Sequence, residues 1–186
     1  EPGTDETRGF EFFSSISGAV SSTTAFTGER SIQLGGSSNA KKSSVLADSG
    51  RRINSRIRFD ILPSGTSAFL SADTNAAANI FQLQLSTSGV LSVVSPGGTL
   101  NKTGSTISAG PSFRRVAVSY VITSTTNFTI KVWIDGVLDI SATGADGSLA
   151  AVGTQMLSLF SALSATYYFD DIYVDDGATL DDPGDI

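Results

Sequence analysis

The periodicity of the chain limits its fold more than any other feature. Apolar residues recur in short alternating runs broken by small polar ones, and no long segment places them at i, i+3, i+4 and i+7. Period-two alternation puts successive side chains on opposite faces, the pattern of a half-buried strand. Strands are expected at residues 9–13, 31–34, 53–61, 68–71, 80–85, 89–94, 115–122, 127–134, 137–140, 155–160 and 167–174. In 53–61, Ile53, Ile57, Phe59 and Ile61 fall on one side and Arg56, Arg58 and Asp60 on the other. Residues 86–88 read as a hairpin turn, and Asp135-Gly136 is a second strong turn signal. Segments 99–111 and 143–154, rich in Gly, Ser and Ala, are expected as surface loops. So many strands can bury one face each only in two packed sheets or a closed barrel. The pattern therefore predicts an all-β fold, with no helix and one domain.

Composition removes several chemistries. The chain has 186 residues with no His and no Cys. No Ser-His-Asp or Cys-His nucleophile can be assembled, no zinc site of the usual Cys/His type, and no disulfide. The core must form from side-chain burial alone, which this length permits. No run of 18 apolar residues exists, so no membrane-spanning helix is expected.

Charge is placed unevenly. The formal net charge is -6, from 18 acidic and 12 basic residues. Residues 1–169 carry all 12 Lys and Arg against 11 acids, a net of +1; residues 170–186 carry the other seven, all Asp. Clustered cations are what a phosphate backbone requires, so no nucleic-acid partner is expected. The reading is one β domain over residues 1–174 followed by an acidic tail, or the start of a linker, over 175–186. The first residue is Glu and the last six are Asp-Asp-Pro-Gly-Asp-Ile, which suggests a piece of a longer polypeptide.

Four segments, in order, resemble one known superfamily. Residues 26–34 (Phe-Thr-Gly-Glu-Arg-Ser-Ile-Gln-Leu) resemble an early strand of concanavalin A-like and laminin G-like jelly rolls. Residues 113–120 (Phe-Arg-Arg-Val-Ala-Val-Ser-Tyr) resemble its "WhhVAvty" strand, with Phe113 in place of Trp and arginines in place of histidines. Residues 130–137 (Ile-Lys-Val-Trp-Ile-Asp-Gly-Val) resemble its "vklYvDGv" hairpin, and residues 167–174 (Tyr-Tyr-Phe-Asp-Asp-Ile-Tyr-Val) its closing strand. The acidic end is also similar to jelly-roll proteins of tailed-phage virions. The resemblance implies an antiparallel two-sheet β-sandwich. It does not by itself imply one function, because this fold carries lectins, glycosidases, adhesion modules and virion proteins.

Candidate sites follow. Jelly-roll hydrolases of this superfamily carry Glu-x-Asp-x-Glu on a central strand, supplying the two carboxyl groups that glycoside hydrolysis needs. That motif is absent, and all four Glu lie within the first 29 residues, so no enzymatic activity is expected. The resemblance implies instead a structural Ca²⁺ tying the first strand to the last. The matching oxygens come from Glu11, with Glu29 as a further contributor, and from Asp170 or Asp171. Because side chains alternate along a strand, Asp170 and Asp171 are expected to point apart. The other reading of these acids is a solvated sheet edge. For sugar recognition, Asn75, Asn79, Gln82 and Gln84 are positioned to line a polar sheet face, though nothing in the sequence links them. Trp133 sits in an apolar strand and is expected to pack in the core; Tyr120, Tyr167, Tyr168 and Tyr173 are either sugar-facing or caps of the sandwich. Residues 41–58 hold Lys41, Lys42, Arg51, Arg52, Arg56 and Arg58 with Asp48 alone among acids. They form either a contact for an anionic partner, such as the acidic tail of a neighbouring copy, or a solvated strand face. Asn101-Lys102-Thr103 and Asn127-Phe128-Thr129 match the glycosylation sequon, which matters only in a host that glycosylates secreted proteins. The leading expectation is a surface structural or adhesion module on a virion or outside a cell, with neighbouring protein subunits as partners. The alternative is a carbohydrate-binding module of a secreted protein, with glycans as partners.

Overall fold

A computed structural model describes residues 15–16, 19–21, 24, 31–36, 39–43, 50–74, 79–95, 97–145, 155–160, 165–175 and 179–184. These residues form 14 strands and no helix. In chain order they are β1 (Ser15–Ile16), β2 (Ala19–Ser21), β3 (Ser31–Gly35), β4 (Asn39–Ser43), β5 (Gly50–Phe59), β6 (Ser67–Thr74) and β7 (Asn79–Leu85). There follow β8 (Val90–Val94), β9 (Asn101–Thr106), β10 (Arg114–Ile122), β11 (Asn127–Ile134), β12 (Val137–Ala145), β13 (Gln155–Phe160) and β14 (Thr166–Asp175). No helix among them is long and apolar enough to cross a membrane.

The strands make two seven-stranded sheets. Sheet A runs β1-β4-β13-β6-β7-β8-β9, and sheet B runs β12-β11-β10-β5-β14-β3-β2. Every pairing is antiparallel, as in β10 with β11, where Val118 faces Val132. Only the hairpins are local. β14 lies between β3 and β5, and β13 between β4 and β6, so both sheets are closed by strands from the far end of the chain. This is the expected antiparallel two-sheet β-sandwich of the jelly-roll type.

The inward faces meet in one core. Sheet A contributes Leu70, Phe81, Leu83 and Leu91, and sheet B Ile57, Val118, Phe128 and Phe169, all 0–1% exposed. Rings interlock across the gap: Phe81 stands edge-on to Tyr120 with centroids 5.1 Å apart, and Phe69 lies 6.3 Å from Tyr167. Each such ring withdraws enough apolar surface to contribute about 2–3 kcal/mol.

Several expectations are corrected. Ile61 lies beyond the end of β5 and is 55% exposed, while Ile53, Ile57 and Phe59 are buried as expected. Residues 101–106 form edge strand β9 instead of a loop. Their polar sequence carries no alternation, and the strand exists because β8 offers a free edge. β4 was likewise hidden in Asn-Ala-Lys-Lys-Ser. Trp133 is buried, but on the outward side of β11 opposite Ala117, outside the inter-sheet core. Asp135-Gly136 turns as expected, with φ of 50° and 82°. The expected first strand at 9–13 lies outside the described residues.

Candidate functional site: a linked amide array on sheet A

The outward face of sheet A carries a connected set of polar side chains. It begins at a bulge. Ala72 pairs with Phe81 but Asp73 with Asn79, so β7 holds one extra residue there. The bulge lets Ile80 and Phe81 both turn into the core, each fully buried, and returns Asn79 to the outward side with Gln82 and Gln84. Without it, strict alternation would place Asn79 inward.

Asp73 is the anchor. Its side chain is on the outward face yet only 5% exposed. Oδ1 accepts from Ser71 Oγ at 2.9 Å and from Asn79 Nδ2, and Oδ2 accepts from Ser158 Oγ at 2.8 Å. The chain then continues outward. Gln82 Nε2 donates to Asn79 Oδ1 at 2.7 Å, and Gln84 Nε2 donates to Gln82 Oε1 at 2.9 Å. A carboxylate only accepts, so Asn79 must turn its NH₂ to Asp73 and its carbonyl away; the same logic then orients Gln82 and Gln84. The array therefore has a single polarity, running from Gln84 toward Asp73.

Register extends this face across the sheet. Ser71, Gln82, Val94 and Asn101 form one row over four strands, and Gln84, Ser92 and Thr103 form part of the next. Lys41 stands opposite Ser158 on β4. Among the described side chains of this face none is aromatic. It offers directional amide and hydroxyl groups, which suit recognition of hydroxyl-rich ligands. Asn79, Gln82 and Gln84 are thus brought together as expected, while Asn75 lies outside the described residues. Asp73 was not singled out from sequence. The available signal was Ser71-x-Asp73, whose spacing puts both residues on one face of a strand.

The other sequence candidates fall elsewhere. Tyr120 and Tyr167 are core residues; Tyr168 lies beneath Arg58, whose guanidinium carbon is 5.4 Å from the ring centroid, and Tyr173 is exposed. All lie on sheet B. Asp170 and Asp171 lie in β14, where the pairing with β5 is interrupted between Asp170 and Tyr173. Asp171 has φ of 47°, and its N–H donates to Asp170 Oδ1 at 2.9 Å. This bulge removes the strict alternation on which their divergence was expected. Glu11 and Glu29 lie outside the described residues. Among the described residues no group of three or more acids is arranged to hold a metal. Asp170 and Asp171 alone supply too few oxygens for Ca²⁺, which takes six to eight.

The acidic end meets sheet B. Arg115, 5% exposed in its side chain, forms a two-pronged pair with Asp182, one contact being NH1 to Oδ2 at 3.0 Å. Its NH2 also donates to the Gly184 carbonyl at 2.5 Å, and Asn54 Oδ1 holds its Nε at 2.7 Å. Ser119 Oγ donates to the Asp181 carbonyl. The Arg115 hydrogen bonds hold the Asp182 carboxyl below the usual carboxylate range, against a smaller opposing effect of burial.

No family model matches the chain, and no curated protein matches it in sequence. Solved structures do. "Cellulose induced protein, Cip1" is 18% identical over 87% of this chain and 86% of its own, with a TM-score of 0.62. An endo-β-1,4-glucuronan lyase from the fungus Trichoderma reesei is 12% identical over 92% and 94%, with a TM-score of 0.61. An alginate lyase from Pseudomonas aeruginosa is 13% identical over 78% and 82%, with a TM-score of 0.58. At these identities the likeness shows a shared β-sandwich jelly-roll fold. It also corrects the expectation of a protein without enzymatic activity. That expectation rested on the missing Glu-x-Asp-x-Glu, which serves hydrolysis by paired carboxylates. Lyases are built on this same fold, and cleavage by elimination needs a base and a group that offsets developing charge, not two carboxylates. The missing motif therefore does not exclude catalysis.

Proposed function

We propose that this chain is a carbohydrate-binding domain that engages a polysaccharide along the outward face of sheet A, as part of a carbohydrate-active protein outside the cell. The observation that carries the reading is the hydrogen-bonded series Asp73–Asn79–Gln82–Gln84, which holds amides in one orientation on an otherwise hydroxyl-rich sheet face. The likeness to proteins named for polysaccharide cleavage supports this reading more directly than the virion role expected from sequence. Affinity electrophoresis through gels containing a panel of polysaccharides tests it. At least one polysaccharide should retard the wild type, and Gln82→Ala with Gln84→Ala should abolish the retardation, while Lys131→Ala on sheet B leaves it intact. Equal mobility in every gel would refute the reading. Product formation in the same mixtures reports whether binding is coupled to cleavage.

Calcium is a separate proposal. Glu11, Glu29, Asp170 and Asp171 would supply carboxylate oxygens to an ion joining the first and last strands. Chelation should then lower the melting temperature, and Asp170→Ala should remove that response. A melting temperature indifferent to chelator would end the proposal.

A further inference from the structure

The two outward faces of the sandwich differ in charge. Arg52, Arg56, Arg58 and Arg115 occupy outward positions of β5 and β10, and Lys131 an outward position of β11, all in sheet B, where Asp60 pairs with Arg58, Asp182 pairs with Arg115 and Asp170 stands opposite Arg56. On sheet A, Asp73 is the one carboxylate among the described outward side chains, and its three partners, Ser71, Asn79 and Ser158, are all neutral. The Lys41 backbone stands two strands and two residues from Asp73, about 12 Å away at ordinary strand spacing. At the far end of the array, no described residue donates to Gln84 Oε1, and the second Nε2 hydrogens of Gln82 and Gln84 are not engaged in the array.

From this arrangement we infer that the ligand of sheet A is an uncharged, hydroxyl-rich glycan and not a polyuronate, and that Asp73 is the positioning residue that orients the amides toward it. The inference rests on the carbohydrate reading above. Sugar hydroxyls both donate and accept, so they can satisfy the Gln84 carbonyl and the outer amide hydrogens together. A polyuronate would instead bring one carboxylate per sugar over a face whose described charge is negative. Asp73 acts through others: it forces Asn79 to donate, which forces Gln82 and then Gln84 into one orientation. Replacing it by Asn puts an NH₂ group in place of one of its two acceptor oxygens, so Asn79 is no longer obliged to donate and the series loses its forced polarity.

Calorimetric titration of the full chain tests this, using neutral and uronate oligosaccharides of matched length. The wild type should bind a neutral oligosaccharide at least tenfold more tightly than any uronate. D73N should weaken that binding at least tenfold and should shift the side-chain amide resonances of Gln82 and Gln84 in the unliganded protein, which Lys131→Ala on sheet B leaves in place. Uronate binding equal to or tighter than neutral binding would overturn the inference while leaving the carbohydrate reading standing. A folded D73N that binds normally would overturn the role of Asp73. Binding to neither class would overturn both this inference and the carbohydrate reading. Should D73N not fold, Gln84→Ala carries the test: a tenfold loss is expected, and unchanged affinity overturns the inference.

Discussion

Tyr167 shows how far one side chain departs from its behaviour in water. It is fully buried, with Phe59 5.9 Å away and edge-on, and Phe69 and Phe169 each at 6.3 Å. Burial pushes its hydroxyl above the ordinary tyrosine value of 10.0. The stability this group contributes is fully present below about pH 10 and is lost as pH rises through the raised folded value, because the unfolded chain ionises first. Urea unfolding between about pH 9 and 11 should show this loss, and Tyr167→Phe should make the profile flatter. Gly89 is a second constrained position. Its φ is 78°, and an added Cβ would sit 2.3 Å from the Ile107 carbonyl oxygen, which is backbone and cannot swing aside. Gly89→Ala should therefore cost about 2–4 kcal/mol in urea unfolding, combining backbone strain with overpacking. A change under 0.5 kcal/mol, roughly the surface-substitution range, would contradict the close approach.

Among elements, the segment 179–184 is held to sheet B by a few polar contacts centred on Arg115. Asp182 takes most of that duty, and its carboxyl is stabilised in the charged form. Its contribution is present above the unfolded value of about 4 and is lost as pH falls through the lowered folded value. Asp182→Asn should cost about 2 kcal/mol at neutral pH, since it leaves a nearly buried guanidinium poorly paired. The variant should also show a smaller drop in melting temperature on acidification below about pH 4 than the wild type. Equal acid sensitivity in the two proteins would show that Asp182 does not govern it. The edges of the two sheets are joined in a comparable way: Asp139 on β12 accepts from Ser105 N–H on β9 at 3.0 Å, and Thr99 N–H donates to the Ala145 carbonyl at 3.0 Å. Elements with alternating apolar residues, such as β10, β11 and β14, were legible in the sequence. β4 and β9 were not, because their strand state comes from a neighbour's unpaired edge and not from their own pattern.

The whole molecule is a product of long-range pairing. β13 and β14 complete the two sheets by inserting between strands formed much earlier in the chain. Neither sheet is whole without them, and the Phe81–Tyr120 and Phe69–Tyr167 contacts need both sheets at once. Unfolding should therefore be one cooperative transition, with tryptophan fluorescence from Trp133 on sheet B and far-ultraviolet circular dichroism giving the same midpoint. Refolding should be slow for a chain this size, on the millisecond-to-second scale or longer, as non-local β topologies are. Separate midpoints for the two signals would show that the sheets melt independently.

The sequence alone determined the all-β class, the inward sides of the main strands, the Asp135-Gly136 turn, and a near-neutral body with its acid at the end. Each of these follows from local properties: side-chain alternation, turn dihedrals and the order of charges along the chain. Only the tertiary structure decided that Asp73 anchors three amides, that Trp133 is buried outside the core, and that Asp182 meets Arg115. Those depend on which strands become neighbours and where a bulge breaks the alternation. One extra residue in β7 turns Asn79 from one face of the sheet to the other, and no local pattern in the chain marks that residue.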